Sequence, residues 1–180
     1  MKYFDIALGQ YGTKEIVGPL HNQEVVEYFE VAGHSWVKDD ETAWCAAFVG
    51  YCLEKAGIAS TRKLNARSYL DFGIPTTDPE PGDIVVFWRG SQSSWQGHVG
   101  FFIRAEGGNI WVLGGNQSNA VNITAYKANQ LLGYRKVPGV EKPETCVDSN
   151  TETLALKAEN NLLKSQIKIF RGFIIKLFNK

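Results

Sequence analysis

The apolar residues of this chain change their period near Pro75, and that switch limits the folds open to it. Before Pro75 they recur at helical spacing. Tyr3, Phe4, Ile6, Ala7 and Leu8 make a short stripe closed by Gly9 and Gly12. Val25, Val26, Phe29 and Val31 make a second, with Asn22 as its predicted N-cap and Gly33 as its stop. Trp44, Phe48, Tyr51, Cys52 and Leu53 make a third, ending at Gly57, and a short helix is predicted from Asn65 to Phe72. After Pro75 come β-branched and aromatic runs set between turns: Ile84–Trp88 behind Pro79-Glu80-Pro81-Gly82-Asp83, then Gly97–Ile103, then Ile110–Gln117. The Glu106-Gly107-Gly108-Asn109 turn joins the last two into a hairpin. Val121–Ile123 and Leu132–Val137 read as shorter strands around a helical turn near Ala125–Gln130. Helices first and strands later predict an α+β domain, its N-terminal helices packed on one face of an antiparallel sheet.

That domain spans residues 1–137, which hold 12 basic and 14 acidic side chains and no basic stripe for nucleic acid. Residues 138–150, with Pro138, Gly139 and Pro143, read as a linker containing an exposed thiol, Cys146. Residues 151–180 are cationic and amphipathic. Leu156, Leu163, Phe170 and Leu177 stand seven apart, with Ile167 and Ile174 between them, so a helix is expected. Three readings are open for it: a coiled coil making a homo-oligomer, a helix lying on an anionic membrane surface, or a helix docked on its own domain. The odd cysteine count and the apparent lack of a secretory leader lead us to expect synthesis in a reducing cytoplasm.

Cys45 stands where the third helix begins, behind Asp39, Asp40 and Thr42. Unpaired N–H groups and the helix dipole favour a thiolate there, the form that attacks carbonyl carbon. Alone, Cys45 could equally be a small buried hydrophobe like Cys52. A cysteine nucleophile needs a base, and the base needs an orienting group. His98 opens a strand after the Gly97 turn, whereas His21 and His34 lie in turns and read as surface histidines. Asn116, after Gly114-Gly115, can hold the imidazole from the neighbouring strand, although an asparagine there is also an ordinary turn residue. The carboxylates of Asp39, Asp40 and Glu41 should raise the thiol pKa, so thiolate formation is expected to lean on His98 as imidazolium. They can otherwise cap the helix, recognise a substrate amine or bind calcium. Zinc on Cys45 and His98 lacks a second ligand pair, and no metal or cofactor is expected.

In order, Cys45, His98 and Asn116 make a papain-type arrangement, and five blocks carry a specific resemblance: Asp40-Glu41-Thr42-Ala43-Trp44-Cys45-Ala46-Ala47-Phe48-Val49, Ala66-Arg67-Ser68-Tyr69-Leu70, Pro81-Gly82-Asp83-Ile84-Val85-Val86-Phe87, Gly97-His98-Val99-Gly100-Phe101 and Gly114-Gly115-Asn116-Gln117. The chain resembles the NlpC and CHAP group of cell-wall cysteine peptidases, in particular a phage-associated, endolysin-like branch. The resemblance implies a papain-like fold and hydrolysis of a peptide or amide bond in peptidoglycan. Cys45 would be the nucleophile, His98 the base and Asn116 the orienting residue, with Gln117 and Asn119 as alternatives for the last role. Trp95, Glu41 and Gln117 are the expected substrate contacts. The setting implied is a phage lysis enzyme held in the host cytoplasm until it is released to the wall. The competing expectation is a non-catalytic wall-binding or assembly module oligomerised by residues 151–180.

Overall fold

The computed structural model describes residues 1–139; the linker and the amphipathic helix expected beyond them lie outside the described residues. Three α-helices come first: α1 (Lys2–Gly9), α2 (Gln23–Val31) and α3 (Cys45–Lys55). Asn22 caps α2 as expected, its side chain accepting from the Glu24 N–H. Asn65 caps a 3-10 turn, Ala66–Asp71, in the same way, through the Arg67 N–H. Six strands follow: β1 (Ile74–Thr76), β2 (Ile84–Trp88), β3 (Gly97–Glu106), β4 (Asn109–Gly114), β5 (Asn122–Lys127) and β6 (Leu131–Lys136). They form one antiparallel sheet in the order β1-β6-β2-β3-β4-β5. This is the α+β layout expected from the switch in period.

Two expectations shift. Ile74–Thr76 is an edge strand paired with β6, a place that tolerates Pro75 because an edge strand need not donate on its outer side. Residues 125–127 continue β5 rather than starting a helical turn, and the turn is confined to Ala128–Gln130. Six-residue pairing with β4 outweighs the weak local preference of Ala125 for helix.

Alternation along the strands divides the core. Ile84, Val86, Val99, Phe101 and Leu113 pack with α1, α2 and α3, around a fully buried Trp44 and Phe48. Val85, Phe87, Phe102, Ile110 and Val112 face the other way, covered by Tyr126, Leu131 and Tyr134. α3 is buried along most of its length, from Cys45 through Leu53. That burial seats its N-terminus firmly against the start of β3, which positions the site.

Candidate active site

Cys45 is the first residue of α3, and Trp44 precedes it as an N-cap without a side-chain cap bond. The first helical hydrogen bond runs from the Phe48 N–H to the Trp44 carbonyl, so the N–H groups of Cys45, Ala46 and Ala47 have no helical acceptor. Burial pushes the Cys45 thiol above its ordinary pKa. The Val99 N–H, the Arg89 guanidinium and the N–H groups of Ala46 and Cys45 pull the other way without overcoming it. At neutral pH Cys45 is therefore a thiol. Cys52, about two turns further along α3, is fully buried and held well above its ordinary value by burial, which makes it a packing residue.

The acidic lead-in does not act as expected. Asp39 accepts from the Thr42 N–H and hydroxyl, at 2.7 and 2.8 Å, and closes the turn. Asp40 is fully buried and accepts from the N–H groups of Ile16 and Asn22 and from His21 Nδ1, at 2.7, 2.8 and 3.0 Å. Burial alone would raise its pKa, but these donors outweigh it and hold the carboxyl low. Glu41 accepts from the Gly18 N–H. Asp40 and Glu41 tie the 13–22 segment to the approach of α3, and none of the three carboxylates is a leading influence on the Cys45 thiol. Among the described residues no group of three or more Asp, Glu, His or Cys side chains could hold a metal ion.

His98 opens β3 opposite Phe87 and is completely buried. Its ring stacks on Tyr126 at 4.8 Å, and Tyr126 stacks in turn on Phe87 at 4.8 Å. Nε2 lies 3.1 Å from Gln117 Oε1. The Gln117 amide nitrogen donates to the Asn122 carbonyl at 2.6 Å, to Asn122 Oδ1 at 2.9 Å and to the Val112 carbonyl at 3.3 Å. Those acceptors leave only Oε1 to face His98, so Nε2 must be the protonated ring nitrogen. Nδ1 then carries the lone pair, and it is buried without a hydrogen-bond partner. Burial, with Arg89 adding to it, lowers the His98 pKa to about 3 against a smaller upward pull from Gln117. His98 is therefore a neutral imidazole at rest, not the imidazolium expected to support a thiolate.

Gln117, rather than Asn116, holds the histidine. β4 ends at Gly114, and the chain then turns through left-handed residues, with φ of 55° at Asn116, 52° at Ser118 and 60° at Asn119. Asn116 serves as a turn residue, and the turn brings the next side chain back under the sheet, where it is buried. That burial also removes Gln117 from the expected substrate contacts. The approach depends on Gly114, where an added Cβ would stand 2.9 Å from Gln117 Oε1 and 3.1 Å from His98 Nε2.

A cleft of about 330 Å³ opens beside Cys45, bordered also by Ala43, Asn65, Arg89, Trp95 and Gln96. Trp95 lies on its rim as expected and is largely exposed; Glu41 is not part of the lining. The rim loop is pinned by Arg67, whose guanidinium donates to the carbonyls of Gln96, Gln92 and Ser91. Arg89 and Tyr126 were not expected at the site. Arg89 acts electrostatically on Cys45, His98 and Tyr126 alike. The signal available in the sequence was a lone arginine directly after a buried strand and eight residues before the candidate base-bearing turn.

A family model described as the CHAP domain matches residues 37–116, a span holding Cys45, Arg89 and His98. Among solved structures, a protein described as similar to a lipoprotein of the NLP/P60 family, from Staphylococcus aureus subsp. aureus Mu50, aligns at 19% identity and a TM-score of 0.42. The alignment covers 76% of this chain and 40% of that one, so the chain spans less than half of that protein's length. No curated protein matches the chain.

Proposed function

We infer that the chain is a cysteine hydrolase of the NlpC/CHAP type that cuts a peptide or amide bond of the wall's stem peptide; the CHAP domain model matched over residues 37–116 supports this reading. The observation that carries this reading is the His98 ring. One nitrogen is fixed as a donor by Gln117, and the other is a buried lone pair without a partner, on the strand whose next residue, Val99, acts through its N–H on the Cys45 thiol pKa.

In this reading His98 Nδ1 takes the Cys45 proton as the thiol attacks the carbonyl carbon, and later returns it to the leaving amine. The two groups are not hydrogen-bonded at rest, and in this reading the proton passes between them once substrate has entered. Gln117 acts through His98 as the orienting residue, taking the place first assigned to Asn116. The free N–H groups at the start of α3 face the developing oxyanion, with that of Cys45 first among them. Arg89 offsets part of the cost of forming a thiolate in a buried place. The setting proposed with this reading is a phage lysis enzyme held in a reducing host cytoplasm before its release to the wall, with which the free thiols at Cys45 and Cys52 are compatible.

The experiment is turbidity loss of purified cell walls, followed by mass spectrometry of the released muropeptides. The wild-type chain is expected to clear the walls and Cys45→Ala to leave them intact with an unchanged circular dichroism spectrum. Lysis retained by Cys45→Ala would overturn the reading. The new chain ends distinguish cleavage within the stem peptide from cleavage at its amide link to muramic acid. A second reading, a non-catalytic wall-binding module, draws on the neutral resting state of both Cys45 and His98. It predicts intact walls with the wild-type chain as well.

A further inference from the structure

Arg89 is the cationic side chain of the cleft, and no Asp or Glu lines that cleft. It is exposed and, among the described residues, forms no ion pair with a carboxylate. The carboxylates nearest in sequence to Cys45 are turned to other tasks: Asp39 to Thr42, Asp40 to Ile16, Asn22 and His21, and Glu41 to Gly18. The second arginine of the rim, Arg67, spends its donors on uncharged carbonyls, which leaves its charge unneutralised as well. Tyr126, on which Arg89 acts, is neutral and leaves the guanidinium charge uncancelled. The result is a positively charged wall, with a planar donor array suited to a carboxylate, facing the same space as the Cys45 thiol.

We propose that Arg89 is a substrate-binding residue that docks a free carboxylate of the substrate beside the bond to be cut, so that the cleft selects stem peptides that are anionic next to the scissile carbonyl. This rests on the reading of the cleft as a peptidoglycan site and names the chemistry it recognises. An uncharged, amidated stem peptide would offer Arg89 no carboxylate to pair with and would bind less well.

The test uses alkylation of the thiol and needs no wall cleavage, so its failure is distinct from failure of the hydrolase reading. The full chain is treated with iodoacetate and with iodoacetamide, reagents alike except for the carboxylate, and modification of Cys45 is followed by peptide mapping. Free cysteine provides the reference ratio of the two rates. For the wild-type chain the iodoacetate rate should saturate with reagent concentration, and the iodoacetate-to-iodoacetamide ratio should exceed that of free cysteine. The excess should shrink as salt is added. Arg89→Gln should lower the ratio about tenfold, as expected for loss of one charge-assisted contact, and Arg89→Lys should retain part of it. Taking the ratio removes any common effect of Arg89 on thiol ionisation or on folding. A wild-type ratio no higher than that of free cysteine, or a ratio unchanged in Arg89→Gln, would overturn the proposal.

Discussion

Gln117 and Asn116 offer the same amide one residue apart, and what separates them is the direction in which the chain carries each. Replacing Gln117 with Ala leaves the His98 Nε2–H buried without an acceptor, at a cost of about 1–3 kcal/mol, and frees the ring to adopt the wrong tautomer. We predict that kcat for wall hydrolysis falls on the order of 10²-fold or more with KM little changed. Asn116→Ala should cost about 1 kcal/mol for placing alanine at positive φ and leave kcat/KM within about threefold. Steady-state kinetics on a soluble muropeptide checks both, and an equal loss in the two variants would remove Gln117 from its role. The sequence made the amide pair legible but not its phase. A strand continued to Gln117 would have aimed Asn116 and Gln117 to opposite faces, whereas the strand ends at Gly114 and the left-handed turn resets the alternation. Cys45 and His98 were legible because helix starts and strand starts are marked by local residues. Arg89 was not, since nothing local distinguishes an arginine lining a cleft from one on a solvated surface.

At the scale of elements, the paired glycines after β4 let two surfaces approach at once. A Cβ on Gly115 would stand 2.6 Å from Phe48 Cβ and from Trp44 Cζ3, in the seam between α3 and the sheet, while one on Gly114 would press on the His98–Gln117 contact. Gly115→Ala should therefore act on stability, lowering it by about 1–3 kcal/mol through overpacking, with denaturant unfolding as the measurement. Gly114→Ala should act first on the site, depressing kcat more than the stability loss explains. A different device holds the approach to α3. Asp40→Asn would present an amide N–H₂ to donors already aimed at a carboxylate, and the melting temperature should drop while Cys45 alkylation by iodoacetamide changes little, because Asp40 faces away from the cleft. An equal melting temperature would show that the 13–22 segment does not depend on that carboxylate. The helices and five of the strands were readable from caps, stops and apolar runs. The edge strand at Ile74–Thr76 was not, since three residues around a proline carry no periodicity and owe their conformation to β6.

For the whole molecule, the groups that make the site also set the pH range in which the fold is stable. His98 is completely buried with its pKa lowered to about 3, while the unfolded chain binds a proton there near the ordinary 6.5. The folded state thus binds fewer protons between those values. The contribution of His98 is fully present above pH 6.5 and is lost as pH falls toward 3, with a slope of up to about 1.4 kcal/mol per pH unit. Asp40 and Asp39, held below their ordinary values, add losses in the same direction at the acid end of that range. Cys45 and Cys52 act oppositely: with pKa values raised by burial, their contribution is present below the ordinary thiol pKa and is lost as pH rises through the folded values. Urea unfolding should therefore show greatest stability between pH 6.5 and the ordinary thiol pKa, with a decline on the acid side already under way at pH 5.5, before any carboxylate titrates. His98→Gln should flatten that early decline, provided the variant remains folded at pH 7. An acid limb that begins only near pH 4 in the wild-type chain would mean that His98 is open to water and protonates freely. The buried lone pair assigned to Nδ1, and with it the assignment of His98 as the resting base, would then be lost.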